Sequence, residues 1–139
     1  MTKPDLSLTV DFTLQAAEKS KQTIIAFLNE QQVDEDIISC VELAVYEAVV
    51  NIIEHGQPDK TIPLTVDIAI DPDNIIITIT HSGNEFDITK VKLPDIVAHY
   101  KSGKKRGLGI YFIRTLMDTV IYSCEDNFNT LVLEKRLSL

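Results

Sequence analysis

Two short runs with the same period, joined by a turn signal, constrain this chain more than anything else in it. Leu64, Val66, Ile68 and Ile70 alternate with Thr65, Asp67 and Ala69, and after the cluster Asp71, Pro72, Asp73, Asn74 the residues Ile75, Ile77 and Ile79 alternate with positions ending in Thr78 and Thr80. Successive side chains of a strand point to opposite faces, so each run describes a strand with one buried face. An Asp/Pro/Asn turn between them makes the pair a hairpin. A sheet buried on one side needs helices on that side only, which predicts an α+β fold, a two-layer α/β sandwich with a mixed, mostly antiparallel sheet.

The remaining segments supply those helices and further strands. Residues 6–12 read as a short strand, and residues 14–32 place Leu14, Ala17, Ile24, Ile25 and Leu28 at helical spacing. Asp34, Glu35 and Asp36 provide a cap and first-turn negative charge for a second helix ending near Gly56, with the stripe Ile38, Val41, Val45, Ala48 and Ile52. A third helix is expected to begin near Gly107, followed by two closing strands around residues 121–124 and 130–134. Between residues 82 and 106 the periodicity is lost in a glycine- and lysine-bearing stretch longer than most connections, which reads as a lid.

Length and charge narrow the class of function. The 139 residues, 45% hydrophobic and 24% charged, suit one globular domain over residues 1–139 with a core. Thirteen Lys and Arg against 21 Asp and Glu give a net charge of −8, which opposes attraction to nucleic acid or an anionic membrane. No stretch has the pattern of a signal peptide or a membrane span. Cys40 and Cys124 lack metal-ligand spacing and are expected to be buried free thiols in a reducing cytoplasm.

Two constellations could carry chemistry. Glu47, Asn51 and His55 are spaced by four along one flank of the second helix, with Asn51 beside the apolar stripe. A buried amide left unpaired costs about 1–3 kcal/mol, so Asn51 must bond to protein, to water or to the metal shell of a ligand. A carboxylate one turn from an amide oxygen also suits magnesium binding plus a general base. Lys90, Lys92, Lys101, Lys104, Lys105 and Arg106 place six of the thirteen basic residues in seventeen positions. Such a segment is either a solvated loop or a site for an anion. Gly103, Gly107 and Gly109 at the start of the third helix favour the anion, since bare backbone N–H groups and the helix dipole there suit a phosphate.

The combination of EAVVNIIEHG, a strand ending in HSGNEFD and the segment RGLGIYFIRTLMDTV resembles the anti-sigma-factor serine kinases, the RsbW and SpoIIAB group of the GHKL ATPase superfamily. The resemblance runs through nearly the whole chain. It implies a cytoplasmic, ATP- and Mg2+-dependent protein serine/threonine kinase of histidine-kinase-like ATPase fold. It also implies regulation of transcription, through sequestering a sigma factor and phosphorylating a STAS-type anti-anti-sigma protein, and it permits a homodimer. By the same resemblance Glu47 is the general base and Asn51 the magnesium ligand. Gly83, Lys104, Lys105, Arg106, Gly107, Leu108 and Gly109 join Asn51 in holding nucleotide.

The chain departs from the family pattern at the adenine end. His81 stands where the family has the aspartate that accepts a hydrogen bond from the adenine amino group, and Glu85 stands where a second glycine is expected. Alternation places His81 on the helix-facing side with Ile75, Ile77 and Ile79, as a wall of the nucleotide site or as a histidine ending a core strand. These two positions keep a second reading open, a non-catalytic protein-binding module of the same fold with altered or lost nucleotide binding.

Overall fold

The computed structural model describes residues 3–90 and 108–138. Strand β1 (Leu6–Val10) leads into helices α1 (Leu14–Glu30) and α2 (Glu35–His55). Strands β2 (Leu64–Ile70) and β3 (Asn74–Ser82) follow, then a single 3-10 turn at Ile88–Lys90, helix α3 (Gly109–Leu116), and strands β4 (Thr119–Glu125) and β5 (Phe128–Arg136). The five strands form one sheet in the order β1-β2-β3-β5-β4, and every neighbouring pair is antiparallel.

Local chemistry accounts for the boundaries. Thr13 caps α1 by accepting the Ala16 N–H at 3.0 Å. Asp34 caps α2 by accepting the Asp36 N–H at 2.9 Å, Glu35 and Asp36 occupy its first turn, and Gly56 ends it. In the β2–β3 turn, Asp71 Oδ1 accepts the N–H groups of Asp73 and Asn74 at 2.8 and 2.7 Å. The β4–β5 turn is a two-residue one on Asp126 and Asn127, whose φ values of 51° and 62° suit a type I′ hairpin. That tight turn lets both closing strands run longer than the sequence pattern marks, while β1 stops two residues short of its expected end.

The core lies between the helices and one face of the sheet. Leu64, Val66 and Ile68 of β2, Ile75, Ile77 and Ile79 of β3, and Leu131 and Leu133 of β5 are buried against Ile24 and Leu28 of α1 and Val41, Val45, Val49 and Ile52 of α2. The opposite face carries Thr65, Asp67, Thr78, Thr80 and Thr130, all half-buried, and the Thr65 and Thr80 hydroxyls bond across the β2–β3 ladder. Helix α3 packs against α2, burying Ile113. Cys40 and Cys124 are free thiols, half-buried rather than buried as expected. Among the described residues no helix is long and apolar enough to cross a membrane.

Candidate functional site

The expected residues of α2 meet the start of α3. Asn51 donates from Nδ2 to the Glu47 carbonyl one turn earlier at 2.7 Å, which occupies the donor end of the amide. Its oxygen has no partner among the described residues. Gly109 sits directly on this pair. A Cβ built on Gly109 would lie 2.6 Å from Glu47 Oε2 and 2.7 Å from Asn51 Nδ2, so only a glycine leaves both side chains where they are. α3 begins here with no side-chain cap, and its first N–H groups are therefore left to other acceptors.

The three residues open onto a cavity of about 600 Å3, which Glu54, Leu108 and Phe112 also line. Such a volume is typical of small-molecule sites. Burial raises the pKa of the Glu47 carboxyl above its ordinary value, and the nearby charge of Glu54 raises it further. A carboxylate that holds protons more readily is better matched to accepting one near neutral pH. His55, one turn beyond Asn51, lines the same cavity and stays largely exposed, its Nε2 3.8 Å from a Glu54 carboxylate oxygen.

The donor chemistry fits magnesium carried by an anionic ligand. A carboxylate and an amide oxygen are hard donors, and magnesium ordinarily takes one or two protein ligands and completes its shell with phosphate and water. No group of three or more His, Cys, Asp or Glu residues among the described residues could hold a metal on its own. The close approach of Gly109 brings the backbone at the start of α3 directly beside both donors.

The surroundings of His81 are different. His81 is 4% exposed, on the helix-facing side of β3 as the alternation predicts, and its Nε2 is buried without a hydrogen-bond partner. Burial lowers its pKa, so the ring is neutral at pH 7. The space against it is only about 10 Å3, closed between Ala48 and Ile52 of α2 on one side and Phe86 and Ile88 on the other.

A buried polar network holds that closure, and the sequence analysis missed it. Asn129, 1% exposed, pairs with His81 across the β3–β5 ladder. Its Nδ2 donates to the carbonyls of Gly83, Asn84 and His81 at 3.1, 3.3 and 3.4 Å. Its Oδ1 accepts the Phe86 N–H at 3.1 Å and the Tyr122 hydroxyl, and the same Phe86 N–H reaches the Tyr122 oxygen at 3.0 Å. Burial, with Cys124 and Glu85 adding to it, pushes the Tyr122 phenol up to about 12, so it remains a donor. One signal was available: period two puts Asn129 on the inward side of β5 with Leu131 and Leu133, and a polar residue there must have partners.

Gly83 serves the same end of the molecule. Its φ is 141°, and a Cβ there would meet the Gln57 carbonyl and Pro58 Cα, both at 2.9 Å, in the loop after α2. It bridges to Pro58 and donates its N–H to the Asn127 carbonyl at 2.8 Å. Of the other expected residues, Leu108 lines the cavity, while Lys104, Lys105, Arg106 and Gly107, with most of the lid, fall outside the described residues.

Comparison with known proteins identifies the family and the fold. The family model of the histidine kinase-like ATPase domain matches residues 11–135. The serine-protein kinase RsbW of Bacillus cereus is 29% identical over 89 residues, which take in 61% of this chain and 56% of that protein. The chain therefore matches little more than half the length of those relatives. The anti-sigma F factor of Clostridium kluyveri is 22% identical over 135 residues, 96% of this chain and 95% of that one. Two solved structures share the fold at a TM-score of 0.70. One is the SiaB–SiaC complex from Pseudomonas aeruginosa, at 17% identity over 94% of this chain and 89% of that chain. The other holds the RsbU and RsbW domains of a Mycobacterium tuberculosis protein, at 20% identity over 97% of this chain and 32% of that chain. Since the family model runs from the end of β1 nearly to the end of β5, the chain belongs to the histidine kinase-like ATPase family, and within it is similar to the RsbW and anti-sigma F group.

Proposed function

We propose that this protein is a nucleoside-triphosphate-dependent protein serine kinase that sequesters a sigma factor and phosphorylates a STAS-type anti-anti-sigma protein. The observation that carries the proposal is the seating of Gly109 on Glu47 and Asn51, which joins a base, a hard oxygen donor and an uncapped helix start in one cavity. The names of the curated relatives, serine-protein kinase and anti-sigma factor, support the choice of reaction and partners.

In this reading Glu47 takes the proton of a partner serine hydroxyl as its oxygen attacks the terminal phosphorus, and the nucleoside diphosphate leaves. Asn51 offers its amide oxygen to magnesium, and Leu108 and Gly109 approach the phosphates with backbone. Magnesium, when bound, supplies charge neutralisation at the phosphates. The basic residues Lys104, Lys105 and Arg106, with Gly107, belong to the same proposal.

The test is transfer of labelled phosphate to a purified STAS-type partner by the parent and by Glu47→Gln. The amide keeps the shape and loses the proton acceptor, so the expected loss is about 10²–10⁴-fold with folding intact. Equal rates would sink the mechanism. Because the Glu47 carboxyl sits above its ordinary range, the acid limb of the parent's rate profile should lie above the ~4.3 of a free glutamate.

The second reading, a protein-binding module without transfer, draws on the closed space beside His81. Tight partner binding with no phosphate transfer would favour it.

A further inference from the structure

We propose that this protein holds its nucleotide by the phosphates alone and does not read the base, because Phe86, its backbone N–H held by Asn129 and Tyr122, and Ile88 fill the space beside His81. The inference rests on the phosphate-binding reading of Glu47, Asn51 and Gly109 and specifies what that site selects.

Three observations carry it. The space between α2 and β3 at His81 is about 10 Å3, the lower bound for one water molecule and far below the fused rings of a purine. Its lining is apolar except for His81, Asn129 and Tyr122, and the last two are spent on each other and on the turn at residues 83–86. The wall is also not a loose one. Ile88 is 3% exposed, and the Phe86 backbone is held by two acceptors that are themselves partnered. Admitting a base would mean withdrawing Phe86 or Ile88 from this space, and moving the Phe86 backbone would take its N–H from both Asn129 and Tyr122, where an unpaired buried group is costly. A neutral His81 offers one ring nitrogen in return.

The chemical consequence concerns specificity. ATP and GTP differ at the base, where an amino group in one is an oxygen in the other, and a site that never meets the base cannot tell them apart. Inorganic tripolyphosphate presents the same phosphates with no base or sugar.

Isothermal titration of the full chain with ATP, GTP and inorganic tripolyphosphate, each with magnesium, tests the proposal. The expected result is binding of all three, with ATP and GTP within about threefold of each other. An ATP preference of tenfold or more over both, which corresponds to about 1.4 kcal/mol, would overturn the inference while leaving the phosphate site and the kinase reading in place. Failure of all three to bind at millimolar concentration would overturn the phosphate-site reading itself, and this inference with it. Phe86→Ala provides a second readout, since it should enlarge the space and raise ATP and GTP affinity relative to tripolyphosphate. A Phe86→Ala variant that folds and leaves those ratios unchanged would show that Phe86 is not what excludes the base.

Discussion

Gly109 and His81 show how much of the site depends on single residues. An added methyl at Gly109 must push aside the end of Glu47 or of Asn51, both of which are flexible side chains, so the fold should survive. Alanine is also the better helix former. We therefore expect Gly109→Ala to melt within a few degrees of the parent and to lose phosphate transfer by about 10²-fold, the scale of an ångström-sized misplacement of reacting groups. A melting scan paired with a transfer assay checks both halves. His81 predicts a pH effect of definite sign. Its folded pKa is depressed, so below roughly 6.5 the unfolded chain takes up a proton that the folded chain refuses. Stability is then unaffected above that pH and falls as pH drops below it. Glu47, with its raised pKa, acts in the opposite sense at lower pH. Urea titrations of the parent and of His81→Leu at pH 7.5 and 5.5 should show the variant losing less stability on acidification.

At the scale of elements, the decisive junction is between β3, β5 and the turn that follows β3. Asn129 and Tyr122 come from adjacent strands of one hairpin and secure a turn that lies 36 to 46 residues earlier in sequence. Replacing Asn129 by Ala takes the acceptor from the Tyr122 hydroxyl and the donor from three carbonyls at or near the core, and leaves the Phe86 N–H with the Tyr122 oxygen alone, at about 1–3 kcal/mol for a buried group that finds no water. A loss of about 3 kcal/mol, read as a fall in Tm of roughly 10 °C, is the expected outcome. Loss of less than 1 kcal/mol would mean the network is solvated. The sequence made the helices and the β2–β3 hairpin legible because their signals are local: Asp34 and Gly56 bracket α2, and Asp71 to Asn74 mark the turn. It also put Glu47, Asn51 and His81 on the right faces, since periodicity reports a face. What it could not report is a pairing between distant segments. The approach of Gly109 to Asn51, the Gly83–Pro58 bridge and the clustering around Asn129 all depend on tertiary closure, which carries no period.

For the molecule as a whole, the strand order β1-β2-β3-β5-β4 divides the sheet by range of contact. The β2–β3 and β4–β5 pairs are hairpins with two tight turns, while β3 meets β5 across the long stretch that includes the proposed lid. The same division explains why the two regions differ. The Glu47, Asn51 and Gly109 cavity rests on helix against helix, and the surroundings of His81 rest on the ladder between hairpins. This ladder has a kinetic consequence. Hairpins of this kind form within microseconds, but joining β3 to β5 brings together His81 and Asn129, 48 positions apart, at a closure entropy of roughly 3 kcal/mol or more. During synthesis β3 leaves the ribosome well before its partner strand, with Ile75, Ile77 and Ile79 in place and an edge still unpaired. Until β5 is made, that edge is open to pairing with another chain.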